Sequence, residues 1–214
     1  MTALVLAIDT SGPASQVAWQ RDKEGAEHQA VGPDRDQVLW QLVDRCLGEA
    51  NAVPDLIAVS SGPGSYTGIR IGLAAAEGLS LGWKVARIAV PTFLAWAESV
   101  SAQAPVVCAR GDGRGMVLWQ PFSGEGNRRT AIGPLSRGEP QAVVEAWRRL
   151  SATLVGRDLP AELAAMSTPT AAPGALAVAD WAGRHGGDLK DAPFVPIYLR
   201  PATPSTSRPA DDHG

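Results

Sequence analysis

Residues 60–73 constrain the fold of this chain more than any other segment. Their sequence is Ser-Ser-Gly-Pro-Gly-Ser-Tyr-Thr-Gly-Ile-Arg-Ile-Gly-Leu, and they follow an apolar run, residues 56–59, of strand length and partly β-branched composition. Apolar residues at helical spacing come directly after the glycines. The segment therefore predicts a tight strand-to-helix turn, in which Ser65 or Thr67 caps the helix by accepting a bond from a free first-turn N–H group.

A glycine-rich turn before a helix can bind phosphate, but this one matches neither of two common phosphate motifs. In the Walker pattern Thr67 takes the place of the second glycine if Gly62 is the first, and no lysine follows. In the dinucleotide pattern the third glycine comes three residues after the second, whereas Gly64 and Gly68 are four residues apart. A turn built for close packing is the favoured interpretation, and phosphate binding is the alternative.

The helix after the turn carries small residues every four positions, at Gly68, Gly72 and Ala76. Glycine inside a helix costs roughly 1 kcal/mol relative to alanine, so two of them indicate a close backbone approach. The approach is either to the sheet of the same chain or to a helix of another subunit.

Composition sets broad limits on function. The 214 residues are 45% hydrophobic and 19% charged, which is typical of one large or two small soluble domains. The formal charge is −3 and the isoelectric point is about 5.6. Nucleic-acid binding by this chain alone is therefore disfavoured, because phosphate neutralisation supplies most non-specific affinity. A local basic patch is possible, with a solvated surface as the favoured alternative, at Arg110, Arg114, Arg128 and Arg129.

The two cysteines, Cys46 and Cys108, each have apolar neighbours and are expected to be buried free thiols of a reducing compartment. The first residues do not resemble a signal peptide, and no apolar run is long enough to cross a membrane. A cytoplasmic protein is expected.

Alternating strand and helix patterns predict an α/β fold with a first half, residues 1–103, a second half, residues 104–201, and a disordered tail, residues 202–214. The polar residues 21–27 are assigned no element, and Thr92 is expected to cap a helix. Strands are predicted at residues 3–8, 16–20, 56–59, 85–90, 106–109, 117–122 and 153–155. Helices are predicted at residues 36–47 with a cap at Asp34 or Asp36, after the turn, at 92–101, from a capping box at 136–139 to about 150, and at 173–186.

Few residues suit catalysis. The three histidines form no metal-binding spacing, and no Gly-x-Ser-x-Gly nucleophile motif occurs. Asp9 is the best acidic candidate, because it ends a strand and begins a turn. The favoured interpretation of Asp9 is a turn in which the carboxylate accepts its own following N–H groups.

Three segments in the same order resemble the bacterial TsaB (YeaZ) family. The central motif is residues 62–72, the first segment is Leu-Val-Leu-Ala-Ile-Asp-Thr-Ser at residues 4–11, and the last is Pro-Ile-Tyr-Leu-Arg at residues 196–200. Two departures from the family pattern occur: residues 31–36 lack its His-Ser pair, and residues 111–118 keep only Arg114, Gly115 and Val117 of its usual second-half opening.

The resemblance implies a duplicated actin/hexokinase/Hsp70-type fold with ribonuclease H-like halves, each a mixed sheet flanked by helices. It also implies a non-catalytic scaffold or activating subunit. That subunit pairs with a TsaD-like catalytic protein and a TsaE-like ATPase for threonylcarbamoyl transfer to the tRNA adenosine beside the anticodon. A TsaC/Sua5-type enzyme supplies the donor, tRNA is contacted only through the complex, and the chain forms a homodimer when alone. No cofactor of its own is expected, although ATP or ADP is possible at the complex interface.

Two sets of residues follow from this hypothesis. The partner interface is predicted at Leu39, Leu42, Val43, Cys46, Gly68, Ile69, Gly72, Ala75, Ala76 and Leu79, with Gly72 where helices of two subunits nearly touch. The structural turn, or nucleotide-proximal set, is Asp9, Thr10, Ser11, Gly62, Pro63, Gly64, Ser65, Tyr66, Thr67 and Arg70. The alternative is a stand-alone ATP-dependent kinase or hydrolase of the same fold that uses Asp9 and residues 62–68. A third hypothesis, a peptidase that cleaves the TsaD-like protein, has no support, because the sequence offers no set of nucleophile and base.

Overall fold

A computed structural model of the chain describes residues 3–32, 34–126, 128–168, 174–186 and 193–199. The predicted tail at 202–214, the family-motif residue Arg200 and the predicted helix start at Pro173 lie outside these ranges. Within the described ranges, no helix has both the length and the apolar character needed to span a bilayer.

The first half of the chain builds a five-stranded sheet in the order β3-β2-β1-β4-β5. Strand β1 pairs antiparallel with β2 and parallel with β4, and β4 pairs parallel with β5. The elements are β1 (Val5–Asp9), β2 (Ser15–Arg21), β3 (Glu24–Ala30), α1 (Arg35–Ala50), β4 (Leu56–Ser60), α2 (Tyr66–Trp83), β5 (Ala86–Val90) and α3 (Thr92–Glu98).

The second half builds another five-stranded sheet, in which β10, β6, β7 and β8 are neighbours in that order and β9 also pairs with β7. Strands β6 and β10 are parallel, and β6 and β7 are antiparallel. The elements are β6 (Val106–Gly111), β7 (Val117–Ser123), β8 (Thr130–Ala131), β9 (Ser136–Gly138), α4 (Pro140–Leu150), β10 (Thr153–Arg157), α5 (Ala161–Ala164) and α6 (Ala175–His185).

Both faces of the first sheet are covered, because alternate residues of each strand point to opposite faces. Leu6 and Ile8 of β1 pack under α1 and α2 on one face. Val5 and Ala7 pack on the other face against α3 and α6. The run of buried residues in β1 and β4 is thus the pattern expected of a doubly covered sheet with parallel pairing.

Helix α3 lies between the two sheets and joins their cores. Its Ala95 belongs to the core of the first sheet, whereas its Phe93 and Trp96 pack on the second sheet against Val106 and Phe122. Helix α6 comes from the second half of the chain but packs mainly on the first sheet. The two sheets are therefore joined by α3 and α6, and each helix would have part of its apolar surface exposed if it packed on one sheet alone.

Four local predictions differ from the structure. The polar residues 21–27, predicted to form no element, include the first part of β3, an edge strand that hydrogen-bonds along all of β2 after a tight turn at Asp22, where φ is 55°. Thr92 is the first helical residue and not the cap of α3. The predicted capping box at residues 136–139 is instead strand β9, and α4 begins with Pro140 after Glu139. Asp34 stands at the start of α1 but makes no side-chain cap bond.

Strand β3 is polar, and the sequence therefore lacks the alternation of apolar residues that predicts a strand. A strand whose inner neighbour is already in a sheet needs only ladder bonds, and its side chains can stay partly exposed. One of them, the half-buried Glu27, accepts a 2.8 Å bond from the Leu176 N–H group at the start of α6. This strand therefore forms because it pairs with β2 at the edge of the sheet, and not because its apolar residues alternate.

Candidate functional site

The glycine-rich turn lies against the end of β1. The Ser65 N–H group donates to the Ser11 carbonyl at 2.7 Å, and a side chain at Gly64 would collide with the Ser11 backbone. Gly62 has φ of 105°, a conformation that favours glycine. The prediction of a close-packed turn is confirmed, and the glycines serve the contact between two strand ends.

The start of α2 is fixed by two side chains. Ser65 caps the helix by accepting a 3.2 Å bond from the Gly68 N–H group, as predicted. From the end of β1, Thr10 Oγ1 donates to the Gly68 carbonyl at 2.7 Å. The first turn of α2 is thus attached directly to β1.

Asp9 is a buried carboxylate with three donors on one oxygen. Its Oδ1 accepts from the Ser11 N–H group at 2.9 Å, from Ser11 Oγ at 2.5 Å and from Ser60 Oγ at 2.6 Å. The bond from Ser11 N–H is the turn contact that the sequence predicted. Burial by itself would raise the pKa of Asp9, but the guanidinium of Arg110 and these hydrogen bonds hold it below its ordinary value.

Arg110, near the end of β6, crosses from the second sheet to this cluster. It is only 3% exposed. Its Nη1 donates to Ser11 Oγ, its Nη2 lies 3.9 Å from Asp9 Oδ2, and its Nε lies 3.8 Å from Asp158 Oδ2. The guanidinium carbon lies 4.5 Å from the centre of the Trp96 ring. Burial lowers the pKa of Arg110, and the two carboxylates oppose that shift.

Only two of the four arginines of the suggested basic patch lie at the surface. Arg114 and Arg128 are exposed, but Arg110 and Arg129 are buried. Arg129 donates to carbonyl groups of the segment after α3, those of Val100, Ala102 and Ala104. An arginine that continues a strand of buried residues, as Arg110 does after Val106–Ala109, is the sequence signal that could have indicated burial.

A cavity of about 320 Å³ lies beside this cluster, between the turn of the first half and the strand ends of the second. Two carboxylates, Asp112 and Asp158, line it together with Arg110. Asp112 is engaged by Arg137 at 2.9 Å. No group of histidine, cysteine and acidic side chains suited to a metal ion occurs in the part of the chain that the structure describes.

The residues predicted for the partner interface lie mostly in the core of their own chain. Nine of them are buried and Leu79 is partly buried, so they pack on the first sheet and not on the surface. The prediction for Gly72 is wrong: a side chain there would meet Thr10 Oγ1 and come within 3.2 Å of Val59 Cγ2. The residues corrected in this way are Leu39, Leu42, Val43, Cys46, Gly68, Ile69, Gly72, Ala75 and Ala76.

The exposed side of α2 carries a second series of small residues at the same spacing, Ala74, Gly78 and Gly82. The space above Gly78 and Gly82 is open to 4 Å, and Leu81 beside them is 68% exposed. We call these four residues the smooth face of α2. Both faces of the helix are therefore lined by small residues, and only one packs on the sheet.

Tyr66, Thr67 and Arg70 are the exposed members of the turn set. The Arg70 guanidinium lies 4.0 Å from the centre of the Tyr66 ring, and its Nε donates to Tyr198 Oη at 3.2 Å. The neighbouring residue Ile197 donates its N–H to the Ser61 carbonyl at 2.7 Å. The late motif, residues 196–199, thus packs directly on the central one.

Two mixed sheets, joined by shared helices and each flanked by helices, fit the actin/hexokinase/Hsp70-type class of fold, as do the YeaZ structures and the family model that the chain matches. A family model described as "TsaD: tRNA N6-adenosine threonylcarbamoyltransferase" matches residues 19–135, which is more than half of the chain. The chain therefore belongs to this family, and the predicted resemblance to TsaB (YeaZ) members is confirmed.

Individual relatives agree with this placement. The chain is similar to the tRNA threonylcarbamoyladenosine biosynthesis protein TsaB of Escherichia coli (strain K12), with 32% identity over 58% of this chain and 56% of that protein. It is 49% identical over 22% of its length to the TsaB protein of Buchnera aphidicola, where the match covers 21% of the relative. The chain thus spans about half of the length of the Escherichia coli relative and a smaller part of the Buchnera one. The YeaZ structure from Pseudomonas aeruginosa has the same fold, with a TM-score of 0.68 and 21% identity, over 92% of this chain and all of that one.

Proposed function

We propose that this chain is a non-catalytic subunit that supports threonylcarbamoyl transfer to the tRNA adenosine beside the anticodon, as the partner of a TsaD-like catalytic protein. The observation that carries the proposal is the smooth face of α2, Ala74, Gly78, Leu81 and Gly82. It is exposed and apolar, and its glycines leave room for a second helix to approach closely. Family membership supports the reaction class.

The buried cluster supports the non-catalytic part of the proposal. In a kinase or hydrolase of this fold, the strand-end carboxylate must be free to act on a nucleotide and its metal. Here three donors occupy Oδ1 of Asp9, while Oδ2 makes no hydrogen bond but is buried and faces the Arg110 guanidinium of the second sheet at 3.9 Å. The stand-alone enzyme hypothesis would require this cluster to open.

The remaining parts of the assembly are proposed on the same basis. A TsaE-like ATPase joins the pair, tRNA is contacted through the complex, and ATP or ADP is held at an interface between subunits and not by this chain alone. Without the catalytic partner, the smooth face of α2 pairs with a second copy of the chain. The protein acts in the cytoplasm, where the tRNA that the complex modifies is found.

The test changes the smooth face without touching the core. Gly78→Leu adds a branched side chain where the structure has open space, so the fold should be retained. If a partner helix lies there, overpacking should weaken association by about 1–3 kcal/mol, or roughly 5- to 150-fold in Kd. Calorimetric titration with a TsaD-like protein measures the change.

Gly78→Ala is the matched control, because it adds one methyl group and removes the same helix glycine. It should retain more affinity than Gly78→Leu and should melt no lower than the wild type. If the wild-type chain binds no TsaD-like protein, the proposed function is wrong. If both variants bind like the wild type, the partner uses another surface.

A further inference from the structure

Arg110 lies on the second sheet, and its buried guanidinium reaches the turn before α2. Among the described residues, no other buried cation of the second sheet does so. Besides Ser11 Oγ, it donates a long bond of 3.5 Å to the Pro63 carbonyl. Ser11 and Pro63 are the two sides of the contact between the end of β1 and the glycine-rich turn. The guanidinium therefore binds both sides of one joint.

That joint determines where α2 begins. Ser11 accepts the Ser65 N–H group, and Ser65 caps the helix at Gly68. The path from Arg110 to the first turn of α2 thus runs through Ser11 and Ser65, each step a hydrogen bond in the buried or half-buried interior. The planar guanidinium suits this place, because its several donors reach acceptors in different directions at once.

The turn has other attachments, so it should not unfold when Arg110 is lost. The Ser61 N–H group donates to the Val90 carbonyl at 2.9 Å, and the Gly62 N–H group donates to Thr92 Oγ1 at 3.2 Å. These bonds hold the first part of the turn to β5 and α3. Residues Pro63 to Ser65, which follow, depend more on the contacts with Ser11 and Arg110.

We infer that Arg110 is a positioning residue: from the second sheet it holds residues 63–65 and so sets the place of the first turn of α2, the helix that carries the proposed partner face. The effect on the partner rests on the proposed function. The effect on the turn does not, because it concerns the free chain. Arg110 makes the two sheets act together in presenting α2.

A buried arginine can also act only through overall stability, and Arg129 provides the matched control. It too is buried, at 5% exposure, and it donates to three carbonyl groups. None of these carbonyls belongs to the turn or to α2. Arg110→Met and Arg129→Met therefore remove the same chemical group from two buried sites, of which one touches the joint.

Hydrogen–deuterium exchange of the free chain tests the inference. Loss of the charged hydrogen bonds of Arg110 should raise exchange in peptides that cover residues 63–70 roughly ten- to hundredfold. Arg129→Met should leave those peptides unchanged and raise exchange around residues 100–104. If Arg110→Met leaves residues 63–70 as protected as in the wild type, or if Arg129→Met exposes them equally, the inference is overturned.

Ser11→Ala covers the case in which Arg110→Met does not fold. It keeps the arginine but removes the nearer of its two acceptors at the joint, together with the bond from Ser11 Oγ to Asp9, and it should raise exchange over the same residues 63–70. In the complex, Arg110→Met should weaken binding of a TsaD-like protein more than Arg129→Met does. Failure of the wild type to bind would overturn the proposed function alone, since the exchange pattern of the free chain stands apart from it.

Discussion

A carboxylate, a guanidinium and two serine hydroxyls meet at the end of β1, and the ionised form of the carboxylate is stabilised by the other three groups. Asp9 would be costly to bury alone, as would Arg110, because a low-dielectric interior disfavours an isolated charge. Together they are compensated, although the two charged groups stand 3.9 Å apart and not in direct contact. The serine donors supply the short contacts that the ion pair does not make.

Asp9→Asn should lower the free energy of unfolding by up to about 3–5 kcal/mol at pH 7, because it removes the buried one of the two carboxylates that face Arg110 and leaves only the exposed Asp158. The double variant Asp9→Asn/Arg110→Met should lose less unfolding free energy than the two single variants lose together, since the second change removes the guanidinium that Asp9 no longer balances. Urea denaturation of the four proteins measures both effects. Additive losses would mean that the two groups do not interact.

The same pair makes stability depend on pH in a defined direction. The pKa of Asp9 lies lower in the folded state than its ordinary value of 3.8, which represents the unfolded chain. The ionised carboxylate therefore stabilises the fold above pH 3.8, and this contribution is lost as the pH falls through the folded-state pKa. In the denaturation series, the wild type should lose stability more steeply below pH 4 than Asp9→Asn does.

At the scale of elements, α2 is a helix with two smooth sides. Gly68, Gly72 and Ala76 face the sheet, where the backbone of the helix approaches β1 and β4 closely. Ala74, Gly78 and Gly82 face outward. Since both series repeat every four residues, spacing alone does not distinguish them, and the environment of each glycine determines what a substitution does.

Gly72→Leu and Gly78→Leu should therefore have opposite effects on the free chain. The first forces a side chain against Thr10 and Val59 and should cost about 1–3 kcal/mol, a fall in Tm of roughly 2–12 °C for a chain of this size. The second replaces an exposed helix glycine and should leave Tm unchanged or raise it by a few degrees. Thermal melts followed by circular dichroism measure the difference. Equal melting of both variants would contradict the buried position of Gly72.

At the scale of the whole molecule, the two sheets are held by α3, by α6 and by the Arg110 cluster. The cleft between the halves is consequently occupied, at its base, by side chains of the protein itself. One cavity between the halves, of about 320 Å³, is at the lower limit for small-molecule pockets, and Asp112, Asp158 and Arg110 line it. Both carboxylates disfavour the phosphates of a nucleotide, and the arginines that face them, Arg137 and Arg110, are already engaged by these carboxylates.

The free chain should accordingly bind ATP with Mg²⁺ only weakly. We expect calorimetry to give a Kd well above 1 μM, the value that corresponds to about −8 kcal/mol. Asp9→Ala serves as the control, because any genuine site of the kinase type would use that carboxylate. A micromolar Kd that is lost in Asp9→Ala would favour the stand-alone enzyme over the subunit.

Most local structure was readable from the sequence, for a physical reason. Backbone geometry translates directly into the spacing of apolar residues, so β1, β4, β6 and the helix after the glycine-rich turn were predicted near their observed bounds. Ser65 could be named as a cap because capping involves residues only a few positions apart. The turn interpretation of Asp9 also rested on its own neighbours.

Tertiary structure alone decided which surfaces these elements use. The burial of Arg110 required a partner 101 positions away in the chain, at Asp9, and no local pattern indicates such a pairing. The polar strand β3 forms because β2 offers it a free edge. The two small-residue series of α2 are equivalent in sequence, and the sheet buried one of them and left the other exposed. Local spacing determines the shape of an element, whereas the side it buries is determined by what the rest of the chain packs against it.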